Sequence, residues 1–372
     1  MIPFTRPTIE AEETEAVEAV LRSGWLATGP QVAGLESELA EYIGGGVTVR
    51  LFNSATSALE AGLLAADIGP GDEVVVPAMS FVATANVVLR VGATPVFVDV
   101  DLHSRNLDAE RVAAALGARS KAVIPVHFSG LAVDMDPLFE LAARHRLLLL
   151  EDAAQAIGTR YKDRMIGSSG NPVCFSFHPN KNMTTIEGGA LASNDAEMIR
   201  RLERIRFHGI ERDDEGLISV DEWGGKMNLA DVSAALGRAQ LPKLDGFNRR
   251  RAELAGLYME RLPEHETLLL PGGGDGHSWH MFCVCLDAAA LGTTRREVIE
   301  FFQARGVGLG IHYPAIHLFP LYRRLGYQPG DFPNAERIGA QTLTLPLFPR
   351  MSEQELDQVC AVFAQLFAER GR

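Results

Sequence analysis

From about residue 47 to residue 151 the chain repeats one unit, a short unbroken apolar run followed by an Ala- and Leu-rich stretch of helical character. The runs are VTVRLF (47–52), EVVVP (73–77), TPVFVDV (94–100), KAVIPVHF (121–128) and LLLLE (147–151). Helical stretches at 56–66, 83–92, 107–117 and 135–145 separate them. A strand with one wet face alternates apolar and polar residues. These do not alternate, so both of their faces must be covered. Such strands taking turns with helices predict an α/β chain built on a mainly parallel sheet between helices.

Past residue 170 the texture changes. NPVCFSFHP and GGALAS read as short strands around a polar turn, and a helix, DAEMIRRLERIRFHG, follows. Two helices between 230 and 262 meet near LPKLDGF, where Pro242 and Gly246 supply breaks. The domain boundary is placed there, giving a large domain of residues 1–245 and a smaller one of 246–372, a size that suits 372 residues. The smaller part mixes strands (SWHMFCVCL, GVGLGIHY) with helices. Its last helix opens at Ser352 with Glu355 three residues on, a capping box, and continues as an apolar stripe of Leu356, Val359, Cys360, Phe363 and Phe367.

Composition excludes several classes of function. Thirty-five basic against 48 acidic residues leave a net charge of −13, which repels nucleic acid and anionic membranes. The longest uncharged apolar stretch, between Glu73 and Arg90, includes Pro77, Ser80, Thr84 and Asn86, too short and too polar to span a bilayer. Glutamates stand where a secretory signal would need an apolar core, so a cytoplasmic location is expected. Four cysteines make no disulfide framework. Cys283 and Cys285 have no second pair or histidine cluster beside them, so they read as core residues and no metal is expected.

No phosphate loop, zinc helix, nucleophile elbow or GxGxxG after the first strand occurs. Three segments at strand ends carry the remaining chemistry. Asn53-Ser54-Ala55-Thr56-Ser57 turns a strand into a helix, and can either cap that helix or cradle an anion with backbone N–H groups and hydroxyls. Glu151-Asp152-Ala153-Ala154-Gln155 ends a buried strand, where Asp152 is either a helix cap or a carboxylate that needs a positive partner. Ser176-Phe177-His178-Pro179-Asn180-Lys181, before Glu187-Gly188-Gly189, places a lysine between two apolar strands, as a solvated charge or as a desolvated nucleophile. An anion cradle, a carboxylate and a lysine together meet the three demands of pyridoxal phosphate.

Nine stretches in order carry a resemblance: SGWLATGP (23–30), NSATSAL (53–59), GPGDEVVVPAMSFVATANVVL (69–89), ATPVFVDVD (93–101), VHFSGLAVDMD (126–136), EDAAQAIGTRY (151–161), FSFHPNKNMTTIEGG (175–189), IHYPAIHLFPLY (311–322) and LTLPLFPRMSEQELDQV (343–359). By these the chain resembles, nearly end to end, the DegT/DnrJ/StrS-type sugar aminotransferases, a fold-type-I family dependent on pyridoxal 5′-phosphate. The resemblance implies that Lys181 carries the cofactor as a Schiff base and then shuttles a proton, while Asp152 holds the pyridine nitrogen protonated. It implies that Gln155 lies near the ring hydroxyl and Phe81 stacks on the ring. Ala55, Thr56 and Ser176 would bind the phosphate. It further implies a nucleotide-linked keto-sugar as acceptor, L-glutamate as donor, and a homodimer with shared active sites.

Two departures bear on that reading. Where many members carry Gly-Tyr-Asn-Tyr-Arg, this chain has Gly225-Lys226-Met227-Asn228. The resemblance assigns Lys226 the task of that Asn, reaching the cofactor phosphate of the partner subunit. Ile186 stands where glycine is common before Glu187, with no account at the level of sequence. Alternatives within the family are a cyclitol ketone or an aminobenzoate-type precursor as acceptor. Outside it stand a sugar dehydratase, against which Lys181 weighs, and a non-catalytic regulatory homologue.

Overall fold

The computed structural model describes residues 1–370. Seven strands form the central sheet: β1 (Thr48–Phe52), β2 (Glu73–Pro77), β3 (Thr94–Val98), β4 (Ser120–Val123), β5 in two stretches (Leu148–Leu149 and Glu151–Asp152), β6 (Val173–Ser176) and β7 (Gly189–Ser193). Their spatial order is β3-β2-β4-β5-β6-β7-β1. The first stretch of β5 pairs with β4 and the second with β6, so this strand joins the two halves. All strands run parallel except β7, which lies antiparallel between β6 and β1. The mainly parallel α/β sheet is the one the apolar runs predict.

β4 ends sooner than KAVIPVHF suggests. Pro125 has no N–H to donate, but its carbonyl still accepts from Asp152 N at 2.8 Å, and a single bridge joins Val126 to Asp152. This stitching holds the end of β5 in register with its neighbours. The helix Ala55–Ala65 after β1 is buried on most of its circumference. Leu59 and Leu63 are fully enclosed, each contributing about 1.5–3 kcal/mol. The helix N-terminus is thereby a fixed object.

The helix Leu244–Arg261 carries the chain across position 245 into the C-terminal part. There a three-stranded antiparallel sheet (Leu268–Leu269, Phe282–Leu286, Thr342–Leu345) packs with helices Arg295–Ala304 and Glu353–Arg370. Phe282, Val284 and Leu286 face that core, while Cys283 and Cys285, on the other face of the strand, join the core of the central sheet. All four cysteines are free and buried. The Ser352–Glu355 capping box forms in both directions. GVGLGIHY, expected as a strand, makes only two isolated bridges, Val307 to Ile2 and Gly310 to Thr344. Gly306, Gly308 and Gly310 leave it too little side chain to build a strand. Among the described residues no helix is long and apolar enough to cross a membrane.

Candidate active site

A parallel sheet delivers the ends of its strands to one edge, and the ends of β1, β2, β5 and β6 meet there. β7, running the other way, begins at that edge, which brings Glu187 and Gly188 to the same place. The result is a cavity of about 450 Å³ lined from all of them. Ala55, Thr56, Phe81, Asp152, Gln155, Ser176 and Lys181 all line it. Lys226 does not.

Asp152 is buried, and its carboxylate is met from two sides. Oδ2 accepts from the Thr84 hydroxyl at 2.8 Å and Oδ1 from Ala154 N at 3.1 Å. Burial raises its pKa, against the pull of these two donors and of the Lys181 charge. No lysine, arginine or histidine forms an ion pair with it among the described residues. A buried acid with donors and no cation suits a protonated ring nitrogen.

Lys181 follows a turn closed by its own N–H donating to His178 O at 2.8 Å. Burial draws the Lys181 amine down from 10.5 to about 8, with Asp152 opposing. A neutral amine is the nucleophile an aldehyde requires. Gln155 Oε1 accepts from Ser129 N at 2.7 Å, which leaves its amide hydrogens for the cavity. They suit a phenolic oxygen.

At the other end stands the N-terminus of the helix Ala55–Ala65. Ser54 caps it by accepting from Ser57 N, so the segment Asn53–Ser57 does cap its helix. The cavity nevertheless touches Ser54, Ala55, Thr56 and Ser176 together, so the same turn also offers backbone N–H groups and hydroxyls to an anion. A Cβ on Gly189 would lie 2.3 Å from Ala55 N, so only glycine lets β7 begin against this turn. Among the described residues Lys181 is the only lysine or arginine lining the cavity. The donor set thus fits pyridoxal phosphate at three points: pyridinium, aldehyde and phosphate.

Phe81, 52% exposed, forms one wall and packs against Tyr313 with ring centroids 5.6 Å apart. His312 lies beside it, its Nδ1 2.7 Å from Thr344 Oγ1, and burial together with the Lys181 charge lowers its pKa to about 4. His178, Asn180 and Glu187 complete the lining. Thr84 and Ser80, which steady Asp152, went unassigned in the sequence, although polar residues in an otherwise apolar helix start were a usable signal.

Lys226 is exposed. Its Nζ donates to Asn228 Oδ1 at 2.6 Å and sits 4.6 Å from the centre of the Phe207 ring. Ile186 has φ 72 and is 50% exposed, in a turn held by Thr184 Oγ1 accepting from its N–H at 2.9 Å. That explains why glycine suits the position: the left-handed conformation strains a β-branched residue.

The profile of the DegT/DnrJ/EryC1/StrS aminotransferase family matches residues 7–364. Spore coat polysaccharide biosynthesis protein SpsC of Bacillus subtilis is 40% identical over 370 residues, covering 96% of this chain and 95% of that protein. Among solved structures, Spr1654 from Streptococcus pneumoniae in its PMP-form superposes with a TM-score of 0.93 at 29% identity, covering 99% of this chain and 100% of that one. Its PLP-form gives 0.92 at 30%, with 99% of each chain covered. Helicobacter pylori PseC, an aminotransferase involved in the biosynthesis of pseudoaminic acid, gives 0.92 at 28%, again with 99% of each chain covered.

Proposed function

The chain belongs to the DegT/DnrJ/EryC1/StrS aminotransferase family, and we propose that within it this protein aminates a nucleotide-linked keto-sugar, taking the amino group from L-glutamate and releasing 2-oxoglutarate. It is a fold-type-I transferase dependent on pyridoxal 5′-phosphate. When bound, the cofactor supplies an aldehyde that carries the amino group and a ring that accepts electrons. The observation that carries the reading is the pairing of Asp152 and Lys181 in one cavity, a buried carboxylate and a lowered amine.

In this reading Lys181 Nζ attaches the cofactor and moves the proton between cofactor and substrate carbons. Asp152 keeps the ring nitrogen protonated, and Thr84 keeps Asp152 charged and oriented. The Gln155 amide addresses the ring hydroxyl, and Phe81 covers one ring face. Ala55, Thr56 and Ser176 hold the phosphate. His178, Asn180 and Glu187 at the rim supply donors and acceptors suited to sugar hydroxyls.

The phosphate end has neutral donors and no cation, although a dianion calls for one. Lys226 is exposed, is turned toward Asn228, and forms no ion pair among the described residues. This supports a homodimer in which Lys226 of the partner subunit completes each site. Exposed Trp223, three residues away, and exposed Phe207, whose ring centre lies 4.6 Å from Lys226 Nζ, add apolar surface for such a contact. Residues 1–245 then form the cofactor domain and 246–372 the smaller domain of a cytoplasmic enzyme.

Incubation with L-glutamate and a panel of nucleotide-linked keto-sugars, cyclitol ketones and free keto-sugars tests the reading. Mass spectrometry should find an amino sugar still bearing its nucleotide, with equimolar 2-oxoglutarate. Amination of the unlinked ketones alone would overturn it.

A further inference from the structure

Lys181 and Gln155 stand on separate loops, yet one short stretch of the C-terminal part, Ser278–Met281, holds both. Asn182, next to Lys181 and only 4% exposed, donates through Nδ2 to Ser278 O at 2.8 Å and to Asn248 Oδ1 at 2.7 Å. With both amide hydrogens engaged, its Oδ1 can only accept, and His280 Nδ1 lies 3.2 Å away. His280 therefore carries its hydrogen on Nδ1, and its buried Nε2 has no protein partner. Burial, reinforced by the Lys181 charge, holds this imidazole well below its usual pKa, so His280 adds no positive charge beside the amine.

The same stretch reaches Gln155 through Ser129. His280 N donates to Ser129 O at 2.9 Å, Ser129 Oγ donates to Met281 O at 2.5 Å, and Ser129 N donates to Gln155 Oε1 at 2.7 Å. Ser129 adopts φ 58, a conformation few residues other than glycine take, and these three bonds hold it there. Ser278 N donates to Gly130 O at 3.2 Å, and the Thr159 hydroxyl donates to Ser278 Oγ at 2.7 Å.

We propose that Asn182 and His280 are positioning residues for amino transfer, tying Lys181 to the same stretch that aims Gln155 and so setting the two groups relative to one another. Neither side chain lines the cavity. Their effect passes through the backbone of Lys181 and through Ser129. A reacting group displaced by about 1 Å loses about a hundredfold in rate, so a network that locks two loops together has a large lever on turnover. The inference rests on Lys181 being the point of cofactor attachment, as proposed above.

The test uses full-length dimer and four proteins: wild type, Asn182→Ala, His280→Leu and His280→Gln. Borohydride trapping on the wild type comes first, as a control for Lys181. Capture of pyridoxal phosphate by cofactor-free protein is then followed by absorbance, and kcat and KM for glutamate are measured. Asn182→Ala and His280→Leu should each slow capture and lower kcat about tenfold to a hundredfold while leaving KM within about threefold. His280→Gln, whose amide can still donate to Asn182 Oδ1, should recover most of the loss. Normal capture and kcat in both disruptive variants would overturn the proposal. So would a loss that tracks the folded fraction and is not recovered by Gln. A wild-type adduct on another lysine overturns the underlying reading instead, and shows itself in the first step.

Discussion

The hydroxyl of Thr84 donates to Oδ2 of Asp152 at 2.8 Å, from the helix that follows β2 to the end of β5, two strands away. Ser80 Oγ, 3.0 Å from the same hydroxyl, completes the chain. This contact opposes the burial that pushes the carboxyl toward its neutral form. A hydrogen bond to a charged group is worth about 1.5–3 kcal/mol. Thr84→Val keeps the shape and removes the bond, so single-turnover amino transfer should slow about tenfold or more, with cofactor still covalently attached. An unchanged rate would leave Ala154 N as the sufficient support of Asp152.

Asp152→Asn removes the charge and keeps the volume. A neutral amide cannot hold the ring proton, so turnover should fall by at least about 10²–10³-fold, the usual loss for a preorganised electrostatic contact. Circular dichroism should show the fold retained. Among the described residues no helix begins directly after Asp152, so near-normal turnover would leave it only the support of the turn at Ala154.

Lys181 gives a pH signature. With its amine at about 8, about one molecule in ten is neutral at pH 7, against about one in three thousand for an ordinary lysine. The deprotonated form reacts, so the rate of cofactor capture should rise about tenfold per pH unit and level off near pH 8. A rate still climbing above pH 10 contradicts the lowered amine. Borohydride should fix the pyridoxyl group on Lys181, and Lys181→Ala should yield no adduct.

Subunit complementation examines Lys226. A charge-assisted contact of about 1.5–3 kcal/mol corresponds to about a tenfold to hundredfold loss of cofactor affinity in Lys226→Ala. At limiting cofactor, mixing Lys181→Ala with Lys226→Ala dimers should restore activity, because one site of each heterodimer has both lysines. If Lys226 serves its own subunit, every site keeps one lesion and nothing returns. A solvated Lys226 leaves affinity unchanged in the single variant.

Ile186→Gly should stabilise the fold. The left-handed backbone costs a β-branched residue about 1–2 kcal/mol, and glycine gives back about 0.5–1 in the unfolded chain, for a net gain of about 0.5–1 kcal/mol. Ile186 is in none of the hydrophobic cores, so little packing is lost. Urea unfolding of the cofactor-free protein measures it, and a lower midpoint would mean that the side chain has contacts that outweigh the strain.

Local signals in the sequence reached as far as the sheet, its strand ends and the three segments that hold six of the seven residues the cavity gathers, whereas Phe81 came only through the family resemblance. Asp152 was legible because a carboxylate at the end of a wholly apolar run is costly without a partner, and Lys181 because a charge between apolar strands stands out in the same way. Those are properties of a few consecutive residues. The tertiary structure alone decided what each of them meets. Thr84 reaches Asp152 only because β4 separates β2 from β5 and the strand ends align. His312 and Tyr313 close the cavity from far along the chain, in a segment whose glycines made it a set of bridges and not a strand. Asn182 and His280 meet across almost a hundred residues, in a contact no periodicity encodes. Burial and hydrogen bonding depend on neighbours in space, so the sequence determined which groups were available, while their distances, their charge states and the strain at Ile186 arose from packing.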